Sequence, residues 1–192
     1  MGFPWAPRYS EAMPAGQTLP LIWLLSDARN DAVLAAALGA LPPGSGFVFR
    51  HYHLAPAERR ARFEALRMAA AGHRVILSGS LEEAREWGAD GIYGPPDRLA
   101  GADELLRLAT AHDGDELQAA VRAGADGVFL SPVFATRSHD EARPLGVHGF
   151  HVLAMQSAVP VIALGGMDEK RARALDWPRW GAIDGLSPPH RA

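Results

Sequence analysis

Residues that can bind an anion or transfer a proton, through a side chain or the backbone, follow most of the short apolar runs in this sequence. They are Asp27, Arg50, His51, Tyr52, Ser78, Asp97, Thr110, His112, the segment 136–139, the pair Gly165–Gly166, and Ser187. The C-terminal ends of parallel strands meet at one face of an α/β protein, where loops commonly carry the chemistry. These residues are therefore expected to form one site.

The pair Gly165–Gly166 carries the clearest chemical meaning among them. It follows an apolar run at 159–164 and precedes an expected helix start at Asp168. Residues without side chains let backbone N–H groups approach an anion, and helix N-termini favour negative charge. We expect a phosphate site here, with a plain tight turn as the alternative.

Apolar runs alternate with amphipathic segments along the chain. Strands are expected at 21–25, 47–50, 75–77, 92–93, 105–109, 127–133, 159–164 and 182–186. Helices are expected at 32–41, 56–71, 80–87, 113–123, 150–157 and 168–175, the third with a capping box formed by Ser80 and Glu83. About eight such units predict a closed (β/α)8 TIM barrel, and an open doubly wound sheet fits the strand count less well.

Gly-Ala-Asp-Gly occurs at 88–91 and at 124–127, with a degenerate copy at 181–185. Each copy is expected to end a helix with a left-handed glycine and to turn the chain into the next strand. Residues 1–20 contain four prolines and are expected to form an arm packed on a barrel of residues 21–192. Only 187–192 follow the last expected strand, so the last outer helix is expected to be missing. The N-terminal arm or a second subunit of a homodimer is expected to cover the apolar wall exposed there.

Length, charge and cysteine content limit the classes of function that this chain can have. The chain has 192 residues, 48% of them hydrophobic, which suits a single domain with a substantial core. Its net charge of −3 and scattered charges provide no basic stripe, so nucleic acid is not an expected partner. Without cysteine it has neither disulfides nor thiolate metal ligands. No signal sequence or membrane-spanning run is apparent, and a cytoplasmic location is expected.

Several segments resemble thiamine phosphate synthases and the related thiazole tautomerases. They are FRHY at 49–52, GADGIYGPPD at 88–97, TAHDGDEL at 110–117, GADGVFLSPVFATRSH at 124–139 with PLG at 144–146, and VPVIALGGM at 159–167. The resemblance implies a role in thiamine biosynthesis or salvage, with thiazole phosphate or thiamine phosphate as the small-molecule ligand. The substrate- and phosphate-binding residues it implies are Thr110, Thr136, His139, Gly165, Gly166 and Ser187.

The synthase reaction implied by the resemblance is assisted by Mg²⁺. Diphosphate leaves hydroxymethylpyrimidine diphosphate, and the nitrogen of thiazole phosphate captures the pyrimidine cation. Arg50 matches the arginine that grips the diphosphate, and Asp97 stands for one of two metal-binding carboxylates. Tyr52 and His139 replace expected lysines, and Ser-Gly at 78–79 replaces an expected Asn-Asp pair. These changes weaken the sites for the metal and the diphosphate.

The tautomerase reaction needs neither a metal nor a diphosphate site. It moves a proton on a carboxythiazole phosphate, and the resemblance places the general acid/base at His112, a residue type suited to proton transfer near neutral pH. We therefore favour a metal-independent tautomerase; a Mg²⁺-dependent synthase and a non-catalytic barrel that binds phosphate esters are the alternatives. His51 and His53 are expected at the surface or rim, because no third metal ligand accompanies them.

Overall fold

Eight parallel strands close into one barrel in the computed structural model of this protein, which describes residues 19–137 and 143–186. The strands are β1 (Ile22–Leu25), β2 (Gly46–Phe49), β3 (Arg74–Leu77), β4 (Gly91–Gly94), β5 (Leu106–Ala111), β6 (Gly127–Leu130), β7 (Val161–Ala163) and β8 (Trp180–Ala182). Neighbours in sequence are neighbours in the sheet, and β8 pairs with β1. The predicted TIM barrel is confirmed.

The helices are α1 (Leu34–Ala40), α2 (Pro56–Ala69), α3 (Leu81–Trp87), α4 (Gly114–Arg122), α5 (Gly146–Ala154) and α6 (Glu169–Leu175). Between β4 and β5 there is only a 3₁₀ turn, Pro96–Arg98. The predicted capping box is present at α3, where Ser80 and Glu83 exchange side-chain and backbone hydrogen bonds. None of the helices in residues 19–137 and 143–186 is long and apolar enough to span a membrane.

Large side chains fill the inside of the barrel, so that it is a core and not a pore. Trp23 and Phe129 meet edge to face at 5.6 Å, and Tyr93 meets Phe129 at 5.3 Å. A Cβ at Gly46 would overlap the Trp23 ring, so a glycine is required there. Leu19 belongs to the same buried cluster, and so the end of the predicted arm lies against the barrel interior. Residues 1–18 lie outside the described residues.

Two of the three Gly-Ala-Asp-Gly junctions form as predicted. Gly88 and Gly124 have φ of +67° and +73°, and each follows the end of a helix. Asp90 and Asp126 each accept a hydrogen bond from a backbone N–H of a neighbouring strand, at 2.7 and 2.8 Å. These junctions lie at the N-terminal ends of the strands, opposite the C-terminal ends where the site was predicted. Their role is therefore structural.

The prediction for the last strand is wrong by two to four residues. β8 begins at Trp180, which is buried and pairs with Ile22, whereas 183–186 have left the strand. The predicted third junction at 181–185 is therefore also wrong, and α6 is instead followed by Asp176 at φ +51°. The predicted absence of a final helix concerns 187–192, outside the described residues, so it and the homodimer stay predictions.

Candidate active site

A cavity of about 620 Å³ lies at the C-terminal ends of the strands. Predicted site residues that line it are Arg50, Thr110, His112, Thr136, Gly165 and Gly166, together with Asp27, Tyr52 and Ser78. The structure thus brings together residues from separate strands, as the barrel topology requires. His139 and Ser187 lie outside the described residues.

Asp97 is the predicted site residue that the structure does not bring to the cavity. It lies in the exposed 3₁₀ turn after β4 and is absent from the cavity wall, whereas the next residue, Arg98, lines it. The segment is about one residue shorter than the pattern that the resemblance implies. This position does not support the predicted metal-binding role of Asp97.

Among the described residues, four guanidinium groups and two carboxylates line the cavity. The arginines are Arg29, Arg50, Arg98 and Arg137, and the carboxylates are Asp27 and Asp184. Of these four arginines, only Arg50 was predicted from the sequence to be catalytic. Arg29 and Arg98 could have been predicted from the sequence, because both lie in loops directly after strands and close to polar residues that were already candidates. The cavity therefore has an excess of positive charge suited to an anion with several negative charges.

Asp27 and Asp184 are both held by arginines. Asp27 lies 3.0 Å from Arg29 and 3.2 Å from Arg50, and Asp184 lies 2.9 Å from Arg137 and 3.8 Å from Arg29. Partial burial alone would raise the pKa of Asp27, but the hydrogen bonds and charge of Arg29 and the charge of Arg50 outweigh it and lower that pKa. The two carboxylates thus hold Arg29, Arg50 and Arg137 in place.

Arg50 lies directly after β2, where one side-chain atom and the following backbone residue are in energetically unfavourable states. Its Nε is buried without a hydrogen-bond partner among the described residues. The next residue, His51, has φ of +28°, which is unfavourable for a side chain other than glycine. Such local costs are found at functional sites where the surrounding structure holds the conformation.

His51 is buried, so its predicted surface or rim position is wrong. Its ring stacks on Phe49 with centroids 4.7 Å apart. Nδ1 lies 2.8 Å from the hydroxyl of Ser26, and Nε2 lies 2.6 Å from a carboxylate oxygen of Asp31. The Ser26 hydroxyl is fully buried and accepts a hydrogen bond from the backbone N–H of Arg50, so this Ser-His-Asp chain positions Arg50 and does not present a nucleophile.

Arg59 on α2 holds the ends of two strands from behind the cavity. It is buried, and its guanidinium donates to the backbone carbonyl oxygens of Arg50 and Ser78. The same group lies over the rings of Phe49 and Trp87, at 5.5 and 5.3 Å. Arg59 was not among the predicted site residues because an arginine in an amphipathic helix is usually exposed.

The hydroxyl of Ser78 is occupied within the protein. It donates to the carbonyl oxygen of Tyr93 at 3.2 Å, and the Tyr52 hydroxyl lies 2.6 Å from it. Tyr93 is buried in the cavity floor, and burial raises its pKa to about 12. Tyr93 therefore stays neutral at physiological pH.

Gly165 and Gly166 have φ of +93° and +61° and lie against the loop that follows β6. A Cβ at Gly165 would lie 2.6 Å from the Cα of Pro132, and a Cβ at Gly166 would overlap the carbonyl oxygen of Ala135. Neither glycine N–H has an acceptor among the described residues. The pair is therefore required sterically, and its backbone donors remain available to an anion.

His112 follows β5 at the cavity wall and is about half exposed. Its Nδ1 lies 2.8 Å from Glu116 Oε2, which also accepts the backbone N–H of His112 at 2.8 Å. A carboxylate on one ring nitrogen fixes the orientation of an imidazole. This arrangement suits proton transfer.

A closed parallel barrel with arginines and a diglycine turn at its C-terminal edge defines a TIM-barrel protein whose candidate site has the charge and backbone donors suited to an anion. Residues 23–176 match the family described as thiamine monophosphate synthase. The chain belongs to that family, which confirms the resemblance seen in the sequence.

Curated relatives carry the name thiamine-phosphate synthase. The protein from Chloroflexus aurantiacus is 34% identical over 126 residues, 61% of this chain and 56% of that protein. The protein from Methanoregula boonei is 37% identical over 105 residues, 50% of this chain and 48% of that protein. The chain thus spans about half the length of the curated relatives it matches.

A solved structure shows the same fold. Thiamine phosphate pyrophosphorylase from Pyrococcus furiosus superposes with a TM-score of 0.72 over 84% of each chain, at 21% sequence identity. The names of the relatives favour the synthase alternative over the tautomerase that the sequence analysis preferred.

Proposed function

We propose that this protein is a transferase of thiamine biosynthesis that couples hydroxymethylpyrimidine diphosphate to thiazole phosphate. The observation that carries the proposal is the convergence of four arginines on the cavity beside Gly165–Gly166. The sequence alone placed the synthase second, because one of two metal-binding carboxylates is missing and two lysines are replaced. Arg29, Arg98 and Arg137 supply positive charge that the sequence comparison did not count.

The proposed roles divide between two anions. Arg50 and Arg98 bind the diphosphate, because guanidinium groups form paired hydrogen bonds with phosphate oxygens. Thr136 and the N–H groups of Gly165 and Gly166 bind the phosphate of the thiazole, with Thr110 beside them on the cavity wall. Roles for His139 and Ser187 stay predictions.

The residues present do not fit the magnesium site that the resemblance implies. Ser-Gly at 78–79 replaces the Asn-Asp pair that would supply one metal-binding carboxylate. Asp97, which stands for the other, is exposed and lies outside the cavity wall. No three acidic or histidine side chains within 19–137 and 143–186 form a group that could hold a metal ion. We assign no step to a metal.

The test incubates purified protein with both substrates in buffer containing Mg²⁺ and follows thiamine phosphate by chromatography. We expect product formation and a loss of about a hundred-fold in rate for Arg50→Gln, the scale seen when a charge-stabilising donor is removed. Arg67→Gln removes an exposed arginine outside the cavity wall and serves as the control. Binding of thiazole phosphate without product would support a non-catalytic barrel instead.

The His112–Glu116 pair supports a second candidate, the tautomerase. In that reaction His112 would move the proton on a carboxythiazole phosphate. The test follows isomerisation of that compound by wild type and His112→Asn. Isomerisation that disappears in the variant would favour the tautomerase, and no isomerisation by wild type would eliminate it.

A further inference from the structure

The cavity carboxylates are already neutralised. Asp27 is shared by Arg29 and Arg50, and Asp184 by Arg137 and Arg29, all within 3.8 Å. A divalent cation at either carboxylate would lie next to guanidinium groups and would have to displace them, since like charges at such distances repel strongly. The residues that line the cavity therefore favour an anion over a cation.

Arg98 is a cavity cation for which the described residues supply no counter-charge. Its side chain lines the cavity and has no acidic partner in the described ranges 19–137 and 143–186. It occupies the cavity wall at the turn where the family pattern implies a metal-binding carboxylate, whereas Asp97 lies outside that wall. The charge that this turn presents to the cavity is thus opposite to that of the implied pattern.

We infer that this protein neutralises the diphosphate of its pyrimidine substrate with arginines, chiefly Arg98 and Arg50, in place of a bound divalent cation. The inference rests on the proposed function and specifies how its leaving group is held. Arginine suits this task because it stays charged at all physiological pH values and binds phosphate oxygens in pairs.

The bond changes need no additional reactant. The C–O bond between the pyrimidine methylene and the diphosphate breaks, and its electron pair stays on the diphosphate oxygen. The lone pair of the thiazole nitrogen forms the new C–N bond and leaves a thiazolium cation. No proton is transferred in these bond changes, so the protein's task is to stabilise the charge that develops on the leaving oxygen, which fixed donors can do.

The first test measures binding of inorganic pyrophosphate by calorimetry in buffer that contains a metal chelator. We expect wild-type protein to bind, and Arg98→Gln to weaken binding about ten-fold or more, because a hydrogen bond to a charged group is lost. Arg67→Gln should leave binding unchanged, since Arg67 is exposed and outside the cavity wall. Arg98→Lys, which keeps the charge, should recover part of the affinity. Circular dichroism verifies that each variant is folded.

The second test measures coupling of the two substrates with chelator and with Mg²⁺. Product formation in chelator at a rate within about ten-fold of that with Mg²⁺ would support the inference. Product only with Mg²⁺, together with no pyrophosphate binding in chelator, would overturn it and leave the proposed function standing. Pyrophosphate binding in chelator without product under either condition would support the arginine site and overturn the proposed coupling reaction.

Discussion

The carboxylate of Asp27 lies 3.2 Å from the guanidinium of Arg50 and reduces the positive charge that the cavity presents to an anion. We predict that Asp27→Asn tightens pyrophosphate binding about five-fold, because one nearby negative charge is removed at a partly exposed site. Calorimetry measures the change. Asp103→Asn is the matched control, since Asp103 is exposed and pairs with Arg107 outside the cavity wall. Weaker binding in Asp27→Asn would mean that Asp27 matters more as an anchor for Arg50.

His51 makes stability depend on pH. Burial lowers its pKa below the ordinary 6.5, although the hydrogen bond and charge of Asp31 oppose the shift and the charges of His53 and Arg62 add to it. The unfolded chain therefore binds the proton more readily than the folded protein. The contribution of neutral His51 to the free energy of unfolding is complete above about pH 6.5. As the pH falls below that value, the free energy of unfolding decreases by up to about 1.4 kcal/mol per pH unit because of this group.

Urea unfolding between pH 8 and pH 5 measures this slope. His51→Gln should flatten the slope, whatever its effect on stability at pH 8, because the titrating group is gone. His148→Gln, at an exposed position of α5, should leave the slope as in wild type. An unchanged slope in His51→Gln would assign the pH dependence to other groups.

Gly166→Ala is expected to disrupt the cavity wall. The residue has φ of +61°, and its Cβ would overlap the carbonyl oxygen of Ala135. We predict a loss of about 1–3 kcal/mol in unfolding free energy and weaker binding of thiazole phosphate. Gly39→Ala in α1 is the matched control, because nothing lies within 4 Å of its Cβ position. It should stabilise the protein by about 0.5–1 kcal/mol.

Arg59→Met tests whether α2 positions the ends of β2 and β3. The methionine fills part of the space but leaves the carbonyl oxygens of Arg50 and Ser78 without their donor. We predict a loss of about 3 kcal/mol in unfolding free energy, because two carbonyl oxygens lose their donor at a cost of about 1–3 kcal/mol each. Arg67→Met on the exposed side of the same helix should change stability by less than about 0.5 kcal/mol. Equal effects in the two variants would contradict the positioning role.

Hydrophobic pattern and turn residues determine most of the barrel. The capping box at Ser80 and the left-handed glycines Gly88 and Gly124 form where local sequence places them, because each depends on residues a few positions apart. α5 begins at Gly146 instead of near residue 150, since the segment docks on the chain after β6 through hydrogen bonds to Pro132 and Val133. The hydrophobic pattern of a short segment cannot predict a contact with a distant part of the chain.

The sequence by itself determined the fold, the edge of the barrel that carries the polar residues, and the place of the diglycine turn at 165 and 166. Only the tertiary structure decided that Arg98 and not Asp97 lines the cavity, that His51 is buried behind Arg50, and that Arg29 and Arg137 add to the same charge. The physical reason is distance. Periodicity reports which face of an element is buried, whereas the charge of a cavity depends on loops from separate strands that meet only when the barrel closes.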